Sequence, residues 1–172
     1  MSVTAVLHDE SAVAECREAL TGDEKVQHLA VRQRVFVEEQ GIFAFTDRDG
    51  LDALPETIHL IGHLHEQIVG AVRLYPLDLS GARWKGDRLA VLPDFRASNL
   101  GVNLVQLAVR TAAREGGSVM VAMIQLGNVR FFEKLGWSRD GEPVDYAGQP
   151  HQPMAIDLWF DAYSGRRNTT ES

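Results

Sequence analysis

The run "SVMVAMIQ", residues 118–125, is apolar at nearly every position. A half-exposed strand would alternate, so this pattern predicts a central strand covered on both faces. Just before it, Gly116-Gly117 stops a helix from about Leu100 to Glu115, whose Leu100, Leu104, Leu107, Ala108 and Thr111 form one stripe. Upstream of that helix, "WKGDRLAVLP" reads as another strand. Strand, helix and strand in this order form a right-handed crossover with parallel strands. That unit commits the chain to an α/β (α+β) fold.

The flanks add antiparallel pieces. From Val26 to Gln40, Val26, Leu29, Ala30, Val35 and Val37 recur near helical spacing, and Gly41 ends the run. "TDRDGLDALPE" is turn-rich and reads as loop. "IHLIGHLH" (58–65) and "QIVGAVRLY" (67–75) are joined so tightly that they predict a hairpin. After a short helix, "NVRFFEKLG", two late extended runs, "WSRDGEPVDYAG" and "QPMAIDLWF", predict a C-terminal hairpin. The expected organisation is one domain over residues 1–162, with residues 163–172 as a frayed tail.

Charge narrows the partners. With 24 acidic against 17 basic residues, the formal charge is −7, which argues against nucleic acid or an anionic membrane as partner and favours cationic substrates. The single Cys16 cannot form an internal disulfide. No stretch approaches the ~18 apolar residues of a membrane span, and no signal peptide is visible, so a cytoplasmic location is expected. Oligomeric state is not legible, a homodimer being one option.

Between strand and helix sits Arg96-Ala97-Ser98-Asn99-Leu100-Gly101. The first turn of a helix leaves backbone N–H groups without acceptors, and its dipole favours an anion there. Small residues let a ligand approach, and Arg96 supplies a cation; taken alone, the loop favours an ordinary strand-to-helix turn with a Ser or Asn cap. Neither a G-x-x-x-x-G-K-[ST] nor a G-x-G-x-x-G motif is present here, which disfavours ATPase and dinucleotide readings.

"RLAVLPDFRASNLGVNLVQLAV" resembles the acetyl-CoA loop of the GCN5-related N-acetyltransferases, with its [QR]-x-x-G-x-[GA] signature, and "NVRFFEKLGW" resembles that family's second signature. "VRQRVFVEEQG" and "GQPHQPM" are similar to its ElaA-like branch and to a bacterial group linked to nitrogen starvation, so the likeness covers roughly residues 26–160. The resemblance implies a mixed central sheet with a βαβ acetyl-CoA unit. It implies that Leu89, Ala90 and Val91 pair with the pantetheine arm, that Arg96, Ala97, Ser98, Asn99, Leu100, Gly101 and Val102 hold the pyrophosphate, and that Asn128 and Phe131 complete the site. Acetyl-CoA would be the cosubstrate, without a metal, and a small-molecule amine the acceptor.

Two departures stand out. Asn99 replaces the signature's first Gly, and Asn tolerates the left-handed region that the loop would need. Phe132 stands where many members place a Tyr that protonates the leaving thiolate. A backbone N–H near Val91 would polarise the thioester carbonyl. For the base, the customary strand carboxylate has only Asp87 to represent it; Glu39 matches the ElaA-like run, against a solvated helix end as its alternative. His151, between two turn-forming prolines, suits proton transfer, against a hydrogen-bonded loop role.

On the acceptor side, Phe36, His59, Asp49 and Arg73 are the candidates. Asp47, Asp49 and Asp52 would attract a cationic amine, or simply line a surface turn. Arg73 on a central strand would anchor an acidic group, or satisfy a structural ion pair. His59, His63 and His65 should share one strand face, opposite Ile58, Leu60 and Leu64, yet nothing completes a zinc site. Tyr146 and Trp84 read as packing or rim residues. The expected activity is N-acetyltransfer from acetyl-CoA. Its rivals are an acyltransferase with a longer donor, since the N-terminal helix is similar to acyl-homoserine-lactone synthases, and a non-catalytic acyl-CoA-binding sensor.

Overall fold

The computed structural model describes residues 14–158; the tail expected at 163–172 lies outside them. Strand β1 (Glu15–Glu18) leads into α1 (Gly22–Arg32), which passes without a break into a π-helical segment, Gln33–Glu39. The helix begins one turn before the expected Val26, because Thr21 and Glu24 form a reciprocal capping box. The hairpin of β2 (Ile58–Leu64) and β3 (Gln67–Pro76) follows, then β4 (Arg83–Val91), α2 (Leu100–Arg114), β5 (Val119–Gln125) and α3 (Val129–Lys134). The chain closes with β6 (Ser138–Arg139), β7 (Val144–Tyr146) and β8 (Gln149–Asp157). The sheet runs β1-β2-β3-β4-β5-β8-β6, with β7 also on β8; β4 and β5 are parallel and the other pairs antiparallel.

Helices α1 and α2 sandwich the sheet. On the α2 side, Leu100, Leu104, Ala108 and Ala112 are buried against β2 and β3. Gly62 and Gly70 make that approach close: a Cβ on either would stand 2.8 Å from a Leu100 or Leu104 methyl. On the other side α1 packs on β2, β3 and β4. β5 corrects one expectation. Met120, Ala122 and Ile124 are buried, but Val119, Val121 and Met123 are only half-buried, since α1 stops at β4 and leaves the second face of β5 without a helix.

"QPHQPM" is strand rather than loop. His151 pairs with Gln125 on one side of β8 and with Val144 on the other. Proline has no N–H to give a ladder, and Pro153 sits where β8's outer partner is interrupted between β6 and β7; only its carbonyl is used there, accepting from Asp140 N. The three strand histidines do not share a face either. His65 lies beyond the end of β2, in the turn, with φ +49°, and the register shift beside His63 inserts its extra residue, Val69, in β3 rather than in β2.

Candidate active site

β4 and β5 pair only at Arg83–Val119, Trp84–Met120 and Lys85–Val121. Beyond Lys85 the strands diverge, and a cleft passes through the sheet between them. Its α2 side is apolar, with Val105, Ala108, Phe132 and Trp137; its α1 side carries Phe36, Phe43, Lys85, Asp87, Arg88, Tyr146 and His151. Gly86 lies at the base of the fork, where a Cβ would meet Met120 Cε at 2.6 Å.

A β-bulge shapes the α1 side. Arg73 opposes Asp87 and Ala71 opposes Ala90, so Arg88, at φ +54°, is the extra residue. A bulge turns two consecutive side chains to one face, and both Asp87 and Arg88 join a buried charge network. Arg32 Nε donates to Asp47 Oδ2 and its Nη1 to Asp52 Oδ1, each at 2.7 Å. Arg73 donates to both oxygens of Asp87 at 2.8 Å and to Asp49 at 2.6 and 3.1 Å. Arg88 pairs with Asp47 at 3.1 Å and stacks over the Phe43 ring. The side chains of Arg32 and Arg73 are fully buried.

These pairings define what the expected acceptor residues do. Arg73 is enclosed and spoken for by carboxylates, the ion-pair alternative. Asp47 is buried, Asp52 is largely enclosed, and Asp49 pairs with Arg73 while remaining partly exposed to solvent. Burial alone would raise the Asp52 carboxyl, but the hydrogen bond from Arg32, the Asp49 amide and the charges of Arg32 and Arg73 hold it below the usual range. Asp49 is lowered in the same way, Arg73 outweighing burial. His59 is buried on the α1 side, edge-on to His28 with ring centroids 4.8 Å apart, and does not line the cleft. Among the described residues no His, Cys, Asp and Glu cluster suits a metal ion. Burial pushes the Cys16 thiol up to about 11, away from nucleophilic use.

The loop before α2 has ordinary backbone: Asn99 sits at φ −79°, so the left-handed tolerance invoked for it is not needed. Ser98 Oγ caps locally, bonding Phe95 O and receiving Leu100 N. The amides of Gly101 and Val102, at the helix's first turn, find no acceptor among the described residues. Val91 and Phe131 flank Gly101, at 3.9 and 3.8 Å from where its Cβ would be, so β4, α2 and α3 converge there. Leu89 and Asn128 line the cleft directly, and Ala90 and Val91 extend β4 beyond the last β5 pair.

Glu39, at the end of the π-helical segment, lies outside the cleft lining and pairs with Arg96. The hydrogen bond from Arg96 holds its carboxyl below the usual range, which makes it a poorer proton acceptor. His151 is buried, and its Nδ1 lies 2.9 Å from Gln149 O. A carbonyl only accepts, so Nδ1 donates, and in the neutral form of the ring Nε2 holds the lone pair. Tyr146, expected to be a packing or rim residue, stands between the rings and cations of the α1 side. It lies edge-on to His151 at 5.3 Å, under Lys85 Nζ at 5.4 Å, and accepts from Arg88 Nη1 at 3.3 Å. Sequence reasoning missed Phe43, Arg88 and Trp137 as lining residues. The bulge that turns Arg88 inward has no sequence signal, whereas Trp137 belongs to the quoted "NVRFFEKLGW".

The donor set fits a thioester bearing a pyrophosphate. Unbonded helix-first-turn amides suit the anion, an unpaired strand edge suits an amide-bearing arm, and buried Trp137 Nε1 beside the cleft has no partner among the described residues.

A model of the acetyltransferase (GNAT) family matches residues 19–137. The uncharacterized N-acetyltransferase YjcF of Bacillus subtilis is 33% identical over 129 residues, covering 74% of this chain and 88% of its own. Escherichia coli ElaA superposes with a TM-score of 0.72 at 22% identity, over 84% of this chain and 98% of its own. The CoA-dependent acyl-homoserine lactone synthase BjaI, solved with SAM and isopentyl-CoA, gives 0.69 at 18% identity, over 88% and 85%. These two structural likenesses concern the fold.

Proposed function

Since the chain belongs to the acetyltransferase (GNAT) family, we propose that it transfers an acetyl group from acetyl-CoA to the amine of a small molecule. The observation that carries this reading is the fork between β4 and β5, with Val91 at the end of β4 packed beside Gly101, where the unbonded amides start α2. In this reading Leu89, Ala90 and Val91 pair with the pantetheine arm. The backbone from Arg96 to Val102 seats the pyrophosphate, with Asn128 and Phe131 beside it. The acceptor enters from the α1 side, past Phe36 and Phe43.

His151 is the base of this scheme. Its Nε2 takes the proton that the amine loses on attack, while Gln149 O fixes the tautomer. Beside the acceptor entrance three arginines and Lys85 balance four aspartates, so it is the chain's overall charge of −7 that favours an amine arriving as a cation.

The apolar α2 side of the cleft supports a second reading, a longer acyl donor, which Val105, Ala108 and Trp137 would accommodate. Thiol release from acetyl-CoA and octanoyl-CoA across a panel of amines separates these readings. Higher kcat/KM with acetyl-CoA supports the first and higher kcat/KM with octanoyl-CoA the second. Tight CoA binding without thiol release would leave a sensor.

A further inference from the structure

Once an arriving ammonium has given its extra proton to solvent, amide formation from a thioester has a fixed proton inventory: the neutral amine gives up one proton and the departing sulfur needs one. Phe132, on the α2 side of the cleft, has none to give. Among the described residues lining the cleft, Tyr146 carries the one hydroxyl. We infer that Tyr146 is the proton donor to the leaving thiolate, a role that rests on the acyl transfer proposed above.

Three observations support the assignment. The Tyr146 oxygen accepts from Arg88 Nη1 at 3.3 Å, which leaves its own hydrogen free to turn toward the cleft. The same guanidinium would bond the phenolate more strongly once the proton has gone. Arg88 is itself fixed by the bulge and by Asp47, at 3.1 Å, so this support is preorganised.

The third observation is the neighbour. Tyr146 and His151 belong to one hairpin, β7 to β8, in the register Tyr146–Gln149 and Val144–His151, with their rings edge to face. Its two turn residues, Ala147 at φ +50° and Gly148 at φ +75°, give the tight reversal that sets the diagonal pair together. An acid and a base held this way close the cycle. The amine nitrogen bonds to the acyl carbon and its proton passes to His151 Nε2. The C–S bond breaks with its electron pair on sulfur, and sulfur takes the Tyr146 proton. The proton on His151 then returns to the Tyr146 oxygen, restoring both groups.

The test separates a proton donor from a packing residue through the leaving group. Hydroxylamine serves as acceptor because it is already neutral at physiological pH and makes little demand on His151. Two donors are compared: acetyl-CoA, whose alkylthiolate benefits from protonation, and S-acetyl para-nitrothiophenol, whose arylthiolate leaves unaided. Tyr146→Phe should lower kcat/KM about a hundredfold with acetyl-CoA but less than about threefold with the aryl thioester. CoA affinity by calorimetry and the circular dichroism spectrum should not change. Equal losses with both donors, or none, in an intact fold overturn the assignment. A wild-type protein that binds CoA yet releases no thiol from either acetyl-CoA or octanoyl-CoA overturns the acyl-transfer reading with it.

Discussion

The Glu39 carboxylate grips the Arg96 guanidinium with both oxygens, Nη1 to Oε2 at 2.8 Å and Nη2 to Oε1 at 2.5 Å, while Arg96 Nε donates to Val91 O at 2.9 Å. A residue expected to be a base and one expected to hold phosphate thus hold each other, at the edge of the anion seat. Glu39→Gln removes the competing negative charge, and CoA should bind about twofold to fivefold tighter at low salt, the gain shrinking as salt screens it. Calorimetry at two ionic strengths checks this; weaker binding would mean that Glu39 is needed to aim Arg96.

Gly101 sits between Val91 and Phe131 at the first turn of α2. Gly101→Asp sets a like charge against the pyrophosphate and fills the approach, so CoA affinity should fall at least about tenfold, or roughly 1.4 kcal/mol. Unchanged affinity in a folded variant would remove the loop from the binding site.

His151→Ala removes the proposed base but not the fork. Turnover with an amine acceptor should drop about a hundredfold, with CoA affinity close to wild type. Near-normal turnover would transfer deprotonation to solvent.

Asp52 carries part of the charge of two fully buried arginines. Breaking one side of such a pair strands the other charge, so Asp52→Asn should cost about 3 kcal/mol in denaturant unfolding. The sign in acid follows from the lowered carboxyl. The wild-type stabilisation is complete above the ordinary carboxylate range and is lost as pH falls toward the folded value, a limb that the variant should lack.

His28 behaves in the opposite sense to a paired histidine. Burial, offset only in part by the bond to Val72 O, pushes its pKa down to about 3. Below the ordinary imidazole range, about 6.5, the unfolded chain binds a proton that the folded chain refuses, so stability falls on acidification. His28→Gln should flatten the decline of Tm between about pH 6 and pH 4. A decline as steep as in wild type would assign it to His59, also lowered by burial, or to the carboxylates.

The sheet's centre was legible because its signals are local: the 118–125 run, the Leu100 stripe and the Gly116-Gly117 stop each state one element. The network around Arg32 and Arg73 was not. In sequence a buried Asp is the same letter as a solvated one, and its partners lie up to 41 residues away, as Arg88 does from Asp47. The Thr21 capping box was readable and overlooked, since apolar periodicity starts later than the cap. β1 offered little, being four residues of largely polar edge strand. His151 was misplaced because its flanking prolines imply a turn, and only the gap between β6 and β7 explains how β8 tolerates Pro153.

The fork has a mechanical consequence as well. β1–β4 and β5–β8 form two plates riveted by three residue pairs at one end, with α2 as the strap between them. The far end lacks its rungs. An arm that hydrogen-bonds along Leu89–Val91 would supply them, acting as a splint across the seam. Slower amide exchange should then appear in both open strand ends, in β5 as well as in β4, whenever the donor is bound.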